Sequence, residues 1–224
     1  MNNKIEKELT LWQTMKNDWY LLVIILIPLA IALYLYPELP AKLPSHWNIY
    51  GEIDGYSSKP FAVWFFPLLN LGIYFMMIIL PKIDPRRENY LRFGKSYRII
   101  RILLIIFLAI LYLVTILAGL GYPVKVDLLV KLGVSLLLLV MGNVMGKFQH
   151  NYFVGIKTPW TLANEEVWRK THRVASKIWV GAGLACFILS IIGTLWANYA
   201  FFAIIMLIAF VPIVMSYVYY RQLQ

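Results

Sequence analysis

The reading of the fold turns on one polar stretch, Asn143-Val-Met-Gly-Lys147-Phe-Gln-His150-Asn151-Tyr-Phe-Val-Gly155-Ile-Lys157-Thr158-Pro159-Trp160-Thr161-Leu-Ala-Asn164-Glu165-Glu166-Val-Trp168-Arg169-Lys170-Thr171-His172-Arg173. It is the longest polar passage in a chain of 224 residues that is 61% hydrophobic and 14% charged, with a mean hydropathy of +0.69. Soluble domains carry about a quarter charged residues, so the composition indicates an integral membrane protein. Long connections between elements tend to be functional or disordered. This one holds too many aromatic residues for a disordered tether.

Apolar segments flank the stretch on both sides. Upstream, residues 125–145 read as a span in which Asp127 and Lys131 stand one turn apart and can pair. Downstream, residues 178–220 contain no charged side chain. One helix of that length would be about twice as long as the hydrocarbon is thick, so the chain must fold back. Asn198-Tyr199 is the expected turn. Further upstream, spans are expected at 19–37, 60–81 and 102–124. The fold class is therefore an all-α integral membrane protein with six transmembrane helices. Its units are an amphipathic surface helix over 1–18, a two-span unit over 19–81, a basic loop with the third span over 82–124, and a three-span unit over 125–224. No small-residue cleavage site follows the first apolar run, so that run reads as a span rather than a secretory signal.

Charge sets the orientation. Seventeen of the 21 Lys and Arg fall in the N-terminal segment, the 82–101 loop, the polar stretch with its extension to Lys177, and the C-terminus. Lys42, Lys59, Lys125 and Lys131 fall on the other side. The positive-inside rule then makes both termini and the polar stretch (143–177) cytoplasmic, and the 37–60 loop external. The expected location is the cell membrane, with anionic lipids beside the basic loops and no direct nucleic-acid contact. In the external loop, spaced prolines favour extended backbone, and Asp54-Gly55 is a tight-turn signal for a small hairpin.

The polar stretch divides in two. Up to Trp160 it reads as irregular backbone; from Thr161 or Asn164, either of which can cap, a helix begins and runs into the fifth span. Glu165, Arg169, Arg173 and Lys177 form a charged ridge beside a stripe of Trp168, His172, Ala175 and Trp179. A sharper reading gathers Asn143, Lys147, Asn151, Thr158, Thr161, Trp168 and His172 into one polar site under the bundle. No HExxH, P-loop, GxSxG or GxGxxG pattern is present, and the one cysteine, Cys186, lies in an apolar run. The expectation is no catalytic residue, no metal and no cofactor. A transporter built of inverted repeats is the alternative, because each half reads span, long polar loop, span, connection, span. A membrane-embedded metalloenzyme using His150, His172 and Glu165 or Glu166 ranks behind it.

The stretch resembles the signature of the SdpI-type immunity proteins, membrane proteins typified by protection against the SDP peptide toxin. The matching residues are Gly142-Asn143, Lys147, Asn151-Tyr152-Phe153, Gly155-Ile156, Thr158-Pro159-Trp160-Thr161, Glu166, Trp168 and Thr171-His172-Arg173. The external loop is similar to the small domain of unknown function common at the N-terminus of these proteins, through Leu43-Pro44, His46-Trp47-Asn48, Gly51, Asp54-Gly55-Tyr56 and Ser58-Lys59. Two departures stand out: Lys157 occupies a position where arginine is expected, and Gly146 and His150 positions where prolines are frequent. The resemblance implies binding without chemistry: a secreted, membrane-active peptide toxin met outside, and a repressor captured at the cytoplasmic face. On that reading the external ligand-binding residues are His46, Trp47, Asn48, Tyr50, Gly51, Asp54, Tyr56 and Lys59. The cytoplasmic site comprises Asn143, Lys147, Asn151, Gly155, Lys157, Thr158, Thr161, Glu166, Trp168, His172 and Arg173.

Overall fold

The computed structural model describes residues 11–224, which form eight α-helices and one β-hairpin. In chain order these are α1 (Leu11–Asn17), α2 (Trp19–Tyr34), β1 (Lys42–Trp47), β2 (Ile53–Ser58), α3 (Lys59–Ile83), α4 (Tyr90–Gly119), α5 (Val126–Met145), the short α6 (Pro159–Ala163), α7 (Glu165–Ile192) and α8 (Leu195–Arg221). The surface helix expected over 1–18 lies largely outside the described residues. Five helices (α3, α4, α5, α7 and α8) are long and apolar enough to cross a membrane. At 16 residues α2 is the sixth apolar helix, about 24 Å long against a hydrocarbon core of about 30 Å. A 3₁₀ turn over Tyr36–Glu38 prolongs it.

Contacts order the six helices as successive passes. Leu43 of the hairpin abuts Gly119 at the end of α4, and Gly51 abuts Asp127 at the start of α5. Asn198, near the start of α8, donates to the Ile49 carbonyl at 3.1 Å. The hairpin therefore sits with the α4–α5 and α7–α8 turns at one end of the bundle. At the other end, Asn89 donates to the His150 carbonyl at 2.7 Å, and Thr158 meets Ser216 near the end of α8 at 2.9 Å. The polar stretch thus closes the end opposite the hairpin. Large apolar side chains such as Leu26, Leu68, Ile188, Leu207 and Phe210 remain on the outside, where lipid rather than water is the solvent.

Two triplets make up the bundle: α2, α3 and α4 pack together, as do α5, α7 and α8. In the first, carbonyls are recruited across helices. Asn70 donates to Ile105 O at 3.1 Å, Tyr97 to Met77 O at 2.7 Å and Tyr112 to Val63 O at 2.8 Å. Such bonds hold helices together where no hydrophobic effect operates between them. Asp18, before α2, is buried and ion-paired to Arg101 and, at 2.7 Å, to Arg98. In the second triplet, glycine allows the closest approach. A Cβ on Gly142 would lie 2.7 Å from Val180 N, and one on Gly183 2.8 Å from Leu139 N. Ser176 also donates to Gly142 O at 2.5 Å.

Three sequence expectations on local structure are corrected. Residues 82–101 are not a loop: α3 runs to Ile83 and α4 begins at Tyr90, so Arg92, Lys95, Arg98 and Arg101 lie on a helix that outruns the hydrocarbon. The last two spans turn at Gly193, whose φ of 65° ends α7 in a left-handed cap, and not at Asn198-Tyr199. The expected hairpin is present, but Asp54-Gly55 lies within β2. The chain instead reverses at Asn48–Glu52 with Gly51 at φ 81°.

Candidate functional site

The two polar regions singled out in the sequence are both built structures. At the closed end the loop after α5 wraps around Asn151, which has no solvent exposure. Its carbonyl accepts from the Phe153 and Val154 amides at 2.9 and 2.7 Å. Its amide donates to the Gln149 and Val154 carbonyls at 2.9 Å each. Those bonds use both lone pairs and both protons. The Tyr90 hydroxyl lies 3.2 Å from the Asn151 carbonyl but also 3.1 Å from Asp84, so its single proton belongs to the carboxylate. Buried Asp84 further accepts from the Arg86 and Tyr152 amides at 2.7 and 3.0 Å. Arg86 in turn stacks over the Tyr152 ring at 4.8 Å.

Trp168 and His172 form the floor, one turn apart on α7, with rings stacked 4.1 Å between centroids. The Trp168 indole donates to Phe148 O at 2.9 Å. His172 Nε2 accepts from the Ile156 amide at 2.9 Å, which leaves Nδ1 as the donor to Trp168 O at 2.8 Å. These partners define one neutral tautomer. Gly155 crosses directly over the ring: a Cβ there would sit 2.4 Å from Nε2, and its φ of 116° disfavours any other residue. The loop ends in a capping box. Thr158 accepts from the Thr161 amide at 3.1 Å, and Thr161 Oγ1 accepts from the Thr158 amide at 2.8 Å. Asn164, as expected, caps α7, accepting from the Glu166 and Val167 amides. Thr161 is the N3 member of the first box rather than a cap itself.

Of the predicted cytoplasmic residues, Asn151, Thr158, Thr161, Trp168 and His172 are buried in this knot, with Gly155 against it. Asn143, Lys147, Lys157, Glu166 and Arg173 are exposed around it. Lys157 donates to Phe153 O at 3.0 Å, and Glu166 pairs with Lys170 at 2.9 Å. Asn89, Tyr90 and Asp84 belong to the knot and were not expected there. An acidic residue inside an otherwise basic passage was their only signal. The buried His150 ring packs 5.1 Å from Trp168. Burial, then the nearby Arg86 guanidinium, holds its pKa below the ordinary imidazole value. No group of three or more His, Cys, Asp or Glu among the described residues could hold a metal ion.

At the hairpin end, His46 Nδ1 and Asp54 are paired at 2.5 Å across the strands. Asn48 organises the turn, accepting from the Tyr50 and Glu52 amides at 2.9 and 3.0 Å and donating to the Glu52 carboxylate. Tyr50 and Tyr56 point outward, 62% and 59% exposed. Lys59 is tied to the end of the first span through Tyr36 O at 3.0 Å and the Tyr36 ring. A cleft of about 250 Å³ separates the hairpin from α5 and α8. His46, Trp47 and Asn48 line one wall, and Asp127, Lys131, Asn198 and Phe202 belong to the other. Within it the expected Asp127–Lys131 pair forms at 3.1 Å. Lys131 also donates to Asn198 at 2.8 Å. Asn198 was expected only as a turn former. An isolated lysine inside an apolar segment was the available clue.

Six apolar passes with a folded polar knot at one end and a strand-built cap at the other define a multi-pass membrane protein of the cell membrane. Residues 147–216 match a model of the SdpI/YfhL protein family. Residues 23–71 match one described as a domain of unknown function, DUF1648. The chain is 31% identical over 212 residues to Immunity protein SdpI of Bacillus subtilis (strain 168), an alignment covering 93% of this chain and 98% of that protein. It belongs to the SdpI/YfhL family. No solved structure matches it.

Proposed function

We propose that this protein is an immunity protein that protects its cell by binding a secreted, membrane-active peptide toxin at the hairpin end. The observation that carries the reading is the similarity, over nearly the whole length of both chains, to a protein named for immunity. Orientation follows from charge: among the described residues the knot end holds fifteen Lys and Arg against four at the hairpin end, so the knot faces the cytoplasm and the hairpin faces out. There the exposed Tyr50 and Tyr56 and the half-buried Trp47 offer aromatic surface at headgroup depth, where an inserting peptide arrives. Binding is the whole of the chemistry. The matched relative is named for immunity, and Asn151, Asp84, Thr158, Thr161, Trp168 and His172 are hydrogen-bonded within the knot. On the cytoplasmic side, exposed Lys147, Lys157, Arg169 and Arg173 form the surface for anionic lipids and for an acidic face of a captured repressor.

The test uses Bacillus subtilis cells lacking their own SdpI and challenged with purified SDP peptide. Cells expressing this chain are expected to survive doses that kill the vector control. Equal killing of both, with the chain shown to be in the membrane, would remove the immunity reading.

A further inference from the structure

The polar floor of the cleft beneath the hairpin is charge-balanced. Lys131, 7% exposed, has three ammonium protons, and among the described residues two of them meet oxygen, at Asn198 and Asp127. The third is free to donate. Asp127 uses one carboxylate oxygen on Lys131 and turns the other toward Gly51. Asn198 accepts from Lys131 and donates one amide proton to Ile49 O, which leaves one amide proton and one carbonyl lone pair, both neutral. The remaining walls are apolar or aromatic at Trp47, Ile49, Val130 and Phe202, with Ser45, Asn48 and the Asp54-paired His46 on the hairpin side.

That arrangement selects its occupant by charge. A phosphate or carboxylate would gain Lys131 but sit beside the Asp127 carboxylate. An ammonium would gain Asp127 but sit beside Lys131. A neutral hydrogen-bond acceptor meets neither conflict, and takes a charge-assisted bond from the spare proton. The volume, about 250 Å³, suits one large side chain with its adjoining backbone and no more. We propose that the cleft seats an uncharged segment of a peptide, with a bulky apolar side chain between Trp47, Val130 and Phe202 and a backbone carbonyl accepting from Lys131. The inference rests on the peptide-binding reading above and names the part of the peptide that is recognised.

The probe is a capped photoreactive tripeptide, acetyl-leucyl-(p-benzoylphenylalanyl)-leucinamide, applied to the full chain in zwitterionic nanodiscs, with cross-links mapped by mass spectrometry. Cross-links are expected on Trp47, Val130 or Phe202. Filling the cleft with Val130→Trp and removing a wall with Phe202→Ala should each reduce labelling about tenfold, the scale of one good contact. Thermal melts confirm that each variant is folded, and either one suffices for the comparison. The neutral capped peptide should compete better than analogues ending in a free carboxylate or a free amine. Labelling unchanged in the folded variants, or better competition by a charged analogue, overturns the proposal. So does displacement of the probe by added phosphatidylglycerol, which would assign the cleft to a lipid headgroup. In the SDP survival assay, Val130→Trp should lose protection. Retained protection with labelling abolished would show that the toxin is held elsewhere, overturning this assignment while leaving immunity intact. Failure of the unaltered chain to protect would instead strike the functional reading, and the cross-links would still decide whether the cleft takes uncharged peptide.

Discussion

Gly155 and His172 account for each other. The ring fills the space a side chain at 155 would need, and the Ile156 amide just beyond the glycine supplies the bond that holds the ring. Gly155→Ala combines a positive-φ penalty with a steric one, so it should destabilise the knot by more than about 1 kcal/mol. Thermal unfolding in detergent reads this, with Asn143→Ala, on the exposed side of α5, expected to stay within about 0.5 kcal/mol of the parent. His150 adds a pH dependence. Its folded-state pKa lies below the unfolded value of about 6.5, so below that pH the unfolded chain binds the proton more readily. Stability from this group is complete above the unfolded value and declines as pH falls from there toward the folded value. His150→Gln should flatten that part of the stability–pH curve, and an unchanged acid limb would contradict the assignment.

At the scale of elements, the helices were legible because apolar runs of membrane length have few other solutions. Their ends were less so. The basic residues of 82–101 read as a loop because charge marks a boundary of the hydrocarbon, whereas a helix is free to continue into the headgroup layer, as α4 does. Asp54-Gly55 carried a turn signal, but Asn48 and Gly51, ahead of it in the chain, make the turn by side-chain capping and positive φ. In the polar stretch, residue types singled out Asn151, Thr158, Thr161, Trp168 and His172, which the structure buries. They could not separate these from Asn143 and Lys147, whose positions depend on how α5 is rotated. Helix packing gives the sharpest test. The α5–α7 contact has backbone against backbone at Gly142 and Gly183, so Gly142→Leu must push the helices apart. A loss of about 3 kcal/mol or more, the scale of severe overpacking, is expected in the detergent melt, whereas Gly181→Leu, at a position with open space around it, should be tolerated.

For the whole molecule, α8 touches both polar ends. Asn198 holds the hairpin and Ser216 meets Thr158 of the knot. Their separation of about 18 positions makes five turns, which places both on one face about 27 Å apart. Which end is outside is settled by labelling. In a Cys186→Ser background, an impermeant thiol reagent should modify Ser58→Cys in intact cells and reach Lys157→Cys only after lysis. The reverse pattern would invert the topology. The central claim, protection by binding alone, is tested most directly by following the SDP peptide in cells that contain known amounts of this protein. Intact peptide should be retained on the cells in proportion to the protein, saturating at a fixed ratio and unaffected by an uncoupler. Recovery of cleaved peptide, or clearance of intact peptide that stops when the membrane is de-energised, would contradict it.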